Sequence, residues 1–335
     1  MVGDPSGKTE LRQMLTQEAI QQNRTRIEPQ VRRFVTANTD ALVVDNAEWL
    51  LSLNYITFLR DIGRHFSVNR MLAAEAYKMR LEKGLSFIEF NYQLLQAYDF
   101  LVLNERYGCA LQIGGDDQWG NIVAGIDLIR RVRQNESFGL TFPLLTTASG
   151  AKMGKSAAGA VWLDAELTRP FDLFQYFVNV DDRDVIRFLK LLTFESMETI
   201  AAFETEQGAG LREAKRLLAR AVTEIVHGAE AAKEADAAAR AAFGGGGGAS
   251  DESALPTVRL SEDSLQNGYK IVDLLADSGL VASKSAARRL VEQGGVRVGE
   301  RKVTSIDDVL NTAEIPDGGV LLHAGKKHVR RLLRN

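Results

Sequence analysis

The chain has 335 residues, of which 45% are hydrophobic and 25% charged, an ordinary composition for a globular protein of two or three domains. Its single cysteine excludes a disulfide framework and a cysteine-based zinc site, and its four scattered histidines lack the paired helical spacing that would hold a metal. No apolar run approaches the roughly 18 residues that span a bilayer, and residues 1–5 lack a signal-peptide pattern, so a reducing, cytoplasmic setting is expected.

The first segment with a chemical pattern is Gly3-Asp4-Pro5-Ser6-Gly7-Lys8-Thr9, which looks like a phosphate-binding P-loop. Three residues separate its two glycines where a P-loop requires four, and no strand precedes it. The segment still offers the carboxylate of Asp4 and the cations of Lys8 and Arg12 beside a predicted helix start, where backbone amides also face an anion. A P-loop nucleotide hydrolase is kept as an alternative.

Helices are predicted over residues 48–65, 86–107 and 182–192, and an alanine-rich, charged composition predicts another over residues 211–242. After the second helix, residues 110–113 form a short apolar run that predicts a strand ending at Gly114-Gly115. Asp116 or Asp117 is predicted to cap the helix that follows. A strand, a glycine turn and a helix in this order are the unit of a doubly wound α/β sheet, whose strand ends bind ligands.

The predicted helix over residues 86–107 is apolar enough to be largely buried, yet it carries a polar stripe. Its apolar residues are Phe87, Phe90, Leu94, Leu95, Leu101 and Leu103. Tyr92, Gln96 and Asp99 follow i, i+4, i+7 spacing and therefore share one face. A stripe facing water is the ordinary interpretation, but a buried carboxylate needs partners, so the wall of a ligand pocket is the sharper one.

Two glycine-containing strings carry further polar chemistry. At the predicted strand end, Gly114-Gly115-Asp116-Asp117-Gln118-Trp119-Gly120-Asn121 would let a nucleotide approach the backbone, with an acidic residue to meet ribose hydroxyls. Later, Gly150-Ala151-Lys152-Met153-Gly154-Lys155-Ser156 places two lysines three residues apart in a loop, which suits a departing polyphosphate. A solvated basic loop is the alternative interpretation of the second string.

The carboxyl-terminal part differs in composition from the rest. Five consecutive glycines at residues 244–248 mark a boundary, because glycine loses the most backbone entropy on ordering. Residues 281–335 carry eleven Lys or Arg and six Asp or Glu, a net charge of +5, which leaves −8 for the preceding 280 residues. A basic tail on an acidic body indicates either an anionic partner such as nucleic acid or a solvated basic surface.

Several blocks, in this order, resemble the bacterial tyrosine–tRNA ligases, which are class I aminoacyl-tRNA synthetases. The blocks are Gly3-Asp4-Pro5-Ser6-Gly7-Lys8, Thr57-Phe58-Leu59-Arg60-Asp61-Ile62-Gly63-Arg64-His65-Phe66-Ser67-Val68-Asn69, Leu95-Gln96-Ala97-Tyr98-Asp99-Phe100, Gln112-Ile113-Gly114-Gly115, Asp117-Gln118-Trp119-Gly120-Asn121, Lys152-Met153-Gly154-Lys155-Ser156 and Ala160-Val161-Trp162-Leu163-Asp164. The implied fold class is α/β, with an N-terminally incomplete, Rossmann-like parallel-sheet catalytic domain, then an α-helical domain and a small α+β RNA-binding module. The expected ranges are 1–165 for the catalytic domain, 166–242 for the helical anticodon-side domain, 243–262 for a Gly-rich linker and 263–335 for the module.

The resemblance also implies a role for each matching residue. The residues implied to bind tyrosine are Asp4, Asn46, Tyr92, Gln96, Asp99 and Gln118. Asp99 would accept a hydrogen bond from the phenol, and the others would surround the ammonium and carboxylate groups or support the site. Those implied to bind ATP or to stabilise pyrophosphate are Lys8, Arg12, Gly115, Asp117, Lys152, Lys155 and Ser156.

The implied activity joins tyrosine to tRNA(Tyr) through a tyrosyl-adenylate. ATP with Mg²⁺ would be a substrate, and no prosthetic group or protein-bound metal is expected. The carboxyl-terminal module is similar to one shared by a ribosomal small-subunit protein and pseudouridine synthases, and the resemblance implies that Lys284, Arg288 and Arg289 contact RNA phosphates. A homodimer with its two-fold interface near residues 57–69 is implied as well.

The family's pattern begins upstream of Gly3-Asp4-Pro5. The resemblance therefore implies that this chain lacks the first strand of the sheet, the tyrosine-pocket residues on it and a His-Ile-Gly-His-type signature. A mis-assigned start codon, a fragment and a truncated natural product are the three explanations, and activity of the chain as it stands is left open. The alternative function is a non-catalytic RNA-binding protein derived from such a ligase.

Overall fold

A computed structural model describes residues 2–4, 15–35, 40–73, 77, 84–151, 153–156, 159–243, 255–325 and 328–335; for residues 155, 156 and 159 it describes the backbone. The chain divides into two compact units, Met1–Leu145 and Thr146–Asn335. In the described parts of the chain, no helix is both long enough and apolar enough to span a membrane.

The first unit combines helices with a small parallel sheet. Its helices are α1 (Gln17–Val35), α2 (Ala47–Leu50), α3 (Tyr55–Asp61), α4 (Val68–Leu72), α5 (Phe87–Tyr107) and α6 (Trp119–Arg133), with 3-10 turns at Gly63–His65 and Asp116–Gln118. Its described strands are β1 (Leu111–Gly115) and β2 (Phe138–Phe142), which pair in parallel from Leu111↔Phe138 to Gly115↔Phe142. Parallel strands need a crossover, and α6 supplies it. The predicted strand, glycine turn and helix are therefore confirmed.

Helix α5 begins and ends where local signals dictate. The Ser86 side chain accepts from the Glu89 amide and the Glu89 carboxylate accepts from the Ser86 amide, a capping box, while Gly108 ends the helix with φ +67°. Phe100 on α5 is fully buried, and a Cβ on Gly125 of α6 would lie 2.9 Å from its ring, so only glycine permits this approach. The helix is largely buried, as predicted, whereas Phe87 in its first turn is 69% exposed.

Three helix predictions need correction. The helix expected over residues 48–65 is interrupted after α2, because the Asn54 side chain accepts from the Thr57 amide and starts α3 anew. The helix expected over residues 211–242 is broken by Gly228, whose φ is +92°. Neither Asp116 nor Asp117 caps α6, which begins after Gln118 without a side-chain cap.

The second unit combines a helical bundle with a mixed sheet. Its helices are α7 (Pro170–Val178), α8 (Val185–Leu192), α9 (Met197–Ala201), α10 (Ala209–His227), α11 (Ala229–Phe243), α12 (Glu262–Gln266), α13 (Ile271–Asp277) and α14 (Lys284–Glu292), with 3-10 turns at Asp182–Asp184 and Thr312–Glu314. Its strands are β3 (Lys155–Ser156), β4 (Gly159–Ala160), β5 (Thr257–Leu260), β6 (Tyr269–Lys270), β7 (Val296–Val298), β8 (Arg301–Lys302), β9 (Val309–Leu310), β10 (Val320–Ala324) and β11 (His328–Arg334).

The mixed sheet has the order β5-β11-β10-β7-β8 and covers one hydrophobic core with α13 and α14. Strand β5 lies within the range expected to be linker and pairs in parallel with β11. A second cluster joins the sheet to α7 and α11 through Phe171, Ala238 and Val329. The predicted fold class, a parallel-sheet α/β part followed by helices and a small α+β part, is confirmed.

Candidate functional site

The carboxylate of Asp99 is the best-defined polar group on α5. Its Oδ2 accepts from Asn46 Nδ2 at 3.0 Å, and its Oδ1 accepts from Trp49 Nε1 at 2.6 Å. Both donors lie on or next to the short helix α2, and Trp49 is buried. Because a carboxylate has about four acceptor sites, two remain for a further donor.

Burial and hydrogen bonding oppose each other at this carboxylate. Burial raises the pKa of Asp99 above its ordinary value, while the hydrogen bonds from Asn46 and Trp49 act to lower it. A carboxylate held in this way is a strong hydrogen-bond acceptor in a partly dry setting.

The predicted stripe lies on one helix, as expected. Gln96 lies one turn before Asp99 and Tyr92 lies two turns before it, and both are half-buried like Asp99 itself. The stripe is thus partly accessible, while Leu94, Ala97 and Phe100 on the neighbouring faces of α5 are buried.

A second polar cluster forms where β1 ends. Gln118 Nε2 donates to Asp4 Oδ2 at 2.6 Å and faces Asp117 Oδ2 at 3.4 Å. A Cβ on Gly115 would lie 2.5 Å from the Asp117 carboxylate, so any other residue here would require that carboxylate to move. The structure therefore brings together four of the predicted site residues: Asp4, Gly115, Asp117 and Gln118.

Two residues near these clusters were not predicted. Trp49 supplies the shorter hydrogen bond to Asp99; a buried indole requires an acceptor, but the sequence around Trp49 does not indicate which one. Tyr77 is buried against Phe90, and its hydroxyl donates to the Phe90 carbonyl at 3.4 Å. Burial, and then the charge of Asp4, raise the pKa of Tyr77 to about 12, so its hydroxyl stays protonated.

The remaining predicted residues for phosphate chemistry are only partly described. Lys8, Arg12 and Lys152 lie outside the described residues. The backbone of Lys155 and Ser156 forms β3, which pairs with β4 as a two-residue ladder in the second unit. Gly150 and Gly154 adopt φ +82° and +88°, the left-handed turns for which glycine is suited.

The three predicted RNA-contacting residues lie on α14, and all are exposed. The helix packs through Ala287 and Val291, which turns its basic side outward. Lys284 is engaged by Asp273, with Nζ and Oδ1 2.8 Å apart, and this hydrogen bond raises the pKa of Lys284. Arg288 and Arg289 carry the exposed positive charge beside that ion pair.

The two clusters offer acceptors and amide groups for a small polar ligand, and within the described residues that form them no nucleophile is hydrogen-bonded to a base. Among the described residues, no group of three or more His, Cys, Asp or Glu side chains could hold a metal ion. The chemistry that these clusters support is binding and orientation, with positioning as the source of rate.

The chain matches the models of known protein families over most of its length. Residues 1–244 match the model of the tRNA synthetases class I (W and Y), and residues 250–330 match that of the tyrosine–tRNA ligase SYY-like C-terminal domain. Over 333 residues the chain is 50% identical to the tyrosine–tRNA ligase of Clostridium botulinum (strain Eklund 17B / Type B), covering 99% of this chain and 81% of that protein. The tyrosine–tRNA ligase of Clostridium tetani is 48% identical with the same coverage.

Solved structures of tyrosyl-tRNA synthetases also resemble this chain. A C-terminally truncated mitochondrial tyrosyl-tRNA synthetase of Aspergillus nidulans superimposes with a TM-score of 0.61 at 29% identity, covering 72% of this chain and 73% of that one. The corresponding enzyme of Coccidioides posadasii gives a TM-score of 0.57 at 30% identity, covering 70% of each chain.

Proposed function

The chain belongs to the tyrosine–tRNA ligase family of the class I synthetases, and we propose that it activates tyrosine with ATP and transfers the tyrosyl group to tRNA(Tyr). The carboxylate of tyrosine attacks the α-phosphate of ATP in line, pyrophosphate leaves, and a terminal ribose hydroxyl of tRNA then takes the tyrosyl group. No enzyme nucleophile is needed, so orientation and electrostatics supply the rate.

The observation that carries the proposal is the partly buried Asp99 carboxylate. With Asn46 and Trp49 fixing its orientation from one side, it accepts the phenolic hydrogen of tyrosine on the other. Phenylalanine would cover the remaining acceptor sites of this partly buried carboxylate without donating to them, and a buried acceptor site that is cut off from water and left without a donor is costly. Tyrosine is therefore selected by a hydrogen bond that its nearest analogue does not make.

The polar end of tyrosine is assigned to the cluster at the end of β1. Asp4 accepts from the ammonium group together with Tyr92 and Gln96, and the Gln118 amide contacts the reacting carboxylate. Support comes from the 2.6 Å hydrogen bond between Gln118 and Asp4, which holds both at the end of a parallel strand, where such sheets bind ligands.

ATP, supplied with Mg²⁺ as its complex, is a substrate and not a resident cofactor. Its ribose is assigned to Gly115 and Asp117, because the glycine leaves the backbone open and the carboxylate accepts from hydroxyls. The pyrophosphate is assigned to Lys152, Lys155 and Ser156 in the loop of residues 150–156, which we call the signature loop, and to the cations of Lys8 and Arg12.

Recognition of tRNA is assigned to the carboxyl-terminal module, with the catalytic part at residues 1–165 and the anticodon-side helices at 166–242. Of the range 243–262 expected to be linker, residues 257–260 belong to the sheet of the module as β5. Arg288, Arg289 and, on release from Asp273, Lys284 contact phosphates. These contacts position the RNA and do not read its sequence.

A cytoplasmic homodimer completes the proposal. Its support is the apolar exposure of α3, where Ile56 is 70% exposed and Tyr55 and Leu59 are also exposed. Such a group of apolar side chains on one short helix is typical of a protein interface.

The test is tyrosine-dependent exchange of pyrophosphate into ATP, followed by charging of tRNA(Tyr). Exchange and charging by the purified chain would support the ligase. Binding of tRNA(Tyr) without exchange would favour the non-catalytic RNA-binding alternative, and ATP hydrolysis indifferent to tyrosine would favour a nucleotide hydrolase.

A further inference from the structure

We propose that Asp184, with Arg187, is a positioning residue that anchors the base of the signature loop; the inference rests on the proposed function of that loop in pyrophosphate formation. Asp184 is 2% exposed, although it carries a carboxylate. None of the residues assigned to tyrosine, ATP or RNA lies beside it in the sequence, so its burial needs its own explanation.

The carboxylate of Asp184 is directed away from its own helix. An aspartate at the N-cap of a helix usually accepts from the amides of that helix, but Asp184 at the N-cap of α8 makes no such bond. Its Oδ2 accepts from the Ala148 amide at 2.8 Å, and its Oδ1 accepts from Arg187 Nη2 at 2.9 Å. Thus a favourable local bond is given up for a contact 36 residues away.

Arg187 extends the same contact to Thr146, two residues before Ala148. Its Nη2 donates to the carbonyl oxygen of Thr146 as well as to Asp184. One carboxylate and one guanidinium therefore hold the backbone on both sides of Thr147. The Thr147 amide donates to the Ala151 carbonyl at 2.8 Å, which closes a turn immediately before the loop.

The other end of the loop is held by α7. The Gly154 amide donates to Tyr176 Oη at 3.3 Å, and the Val161 amide donates to the Gly154 carbonyl at 2.8 Å. Thr147, Tyr176 and Asp184 line one cavity of about 730 Å³ in the second unit. The loop is thus attached at both ends to neighbouring helices.

The Asp184 anchor should dominate because its bonds involve charged groups and a buried acceptor. A hydrogen bond to a charged group stabilises more than a neutral one, and a donor that loses a buried partner is costly. A loop held at its base samples fewer conformations, so less conformational entropy should be lost when its lysines meet the departing pyrophosphate. Loss of the anchor should therefore affect the chemical step and leave tyrosine binding unchanged, because the residues assigned to tyrosine lie in the first unit.

The first experiment measures anchoring without requiring activity. Hydrogen–deuterium exchange on the full chain would compare wild type with Asp184→Asn and Asp184→Ala, following the peptide that contains Ala148. The matched control is Asp181→Asn, which removes an exposed carboxylate paired with Arg183 in the same turn. We expect exchange at residues 147–151 to rise about tenfold in both Asp184 variants and to stay at the wild-type rate in the control. Wild-type protection in the Asp184 variants would overturn the inference.

If the Asp184 variants do not fold, Arg187→Gln replaces them, since Arg187 is 43% exposed and less costly to change. A rise in exchange at the same residues supports the anchor, and unchanged exchange refutes it.

Kinetics separate positioning from a general structural role. In tyrosine-dependent ATP–pyrophosphate exchange, Asp184→Asn should lower kcat about tenfold and leave the KM for tyrosine unchanged. Such a change means that the variant stabilises the transition state less while it binds tyrosine as well as wild type does. A parallel change in both constants would refute positioning. If wild type itself shows no exchange activity, the proposed function fails for this chain while hydrogen exchange still decides the anchor.

Discussion

Replacing Asp99 by asparagine changes one atom of the acceptor proposed to select tyrosine. The substitution keeps the size of the side chain and keeps an oxygen for Trp49 Nε1, 2.6 Å from Asp99 Oδ1 in wild type. It places an amide where Asp99 Oδ2 accepts from Asn46, but Asn46 can rotate its own amide to offer an oxygen. The fold should therefore tolerate Asp99→Asn.

The magnitude follows from the charge of the acceptor. A hydrogen bond to a charged group contributes about 1.5–3 kcal/mol, against about 1 kcal/mol for a neutral pair. Tyrosine would exchange a charged acceptor for a neutral one, a loss of about 0.5–2 kcal/mol, and phenylalanine would lose nothing, so the preference for tyrosine should fall roughly 2- to 30-fold. The kcat/KM for phenylalanine should rise or stay the same, because phenylalanine no longer has to cover a charged group.

The assay is ATP–pyrophosphate exchange with each amino acid, with Asp116→Asn as the matched control, since Asp116 is exposed and was assigned no role. The pH dependence gives a second measurement. Burial raises the pKa of Asp99, so as pH falls its carboxylate is protonated earlier than an ordinary aspartate would be. The affinity for tyrosine should decline over that pH range, and this decline should be absent in Asp99→Asn. An unchanged ratio of kcat/KM values, or the same pH profile in both proteins, would refute the role given to Asp99.

Three further changes test other parts of the chain. Arg330 is 8% exposed and forms a bidentate ion pair with Asp172. The substitution Arg330→Gln should lower the free energy of unfolding by about 3 kcal/mol, and a loss below about 1 kcal/mol in urea denaturation would contradict this. Burial lowers the pKa of His323 below 6.5, so its contribution to stability is present above pH 6.5 and is lost as pH falls through the folded pKa. In His323→Gln the melting temperature should therefore fall less as pH is lowered, and the same dependence of melting temperature on pH in both proteins would exclude His323 as its source. Changing Arg288 or Arg289 to glutamine should each reduce the slope of log affinity for tRNA against log salt by about 0.7–0.9 without altering pyrophosphate exchange; a loss of exchange would show a structural role.

Local signals account for the parts of the fold that the sequence predicted well. The limits of α5 follow from the capping box at Ser86 and the glycine at position 108, both within a turn of the helix end. The strand-turn-helix at β1 follows from an apolar run and two glycines. The break at Gly228 was readable from the glycine itself, but the alanine-rich sequence on both sides favoured one continuous helix.

The parts that were missed depend on contacts distant in sequence. Trp49 and Asp99 are 50 residues apart, and no local pattern indicates that the indole meets this carboxylate. Asp117 was expected to cap α6, because aspartate before a helix usually does so. Instead its carboxylate is directed toward Gly115 and the Gln118 amide, contacts that depend on how the chain folds at the end of β1.

The buried polar residues of α5 show why burial alone does not identify a site. Gln93 donates to the Gly120 carbonyl at 2.9 Å and Asn104 donates to the Cys109 carbonyl at 2.9 Å, so each connects α5 to a fixed backbone atom. Asp99 is oriented by the side chains of Asn46 and Trp49, which leave acceptor sites on the same carboxylate for a ligand. Polar groups bonded to backbone stabilise the fold, whereas an oriented acceptor with remaining capacity can bind a substrate. The spacing of Tyr92, Gln96 and Asp99 predicted the stripe, and the kind of partner each polar group has is what separates the binding residue from its structural neighbours.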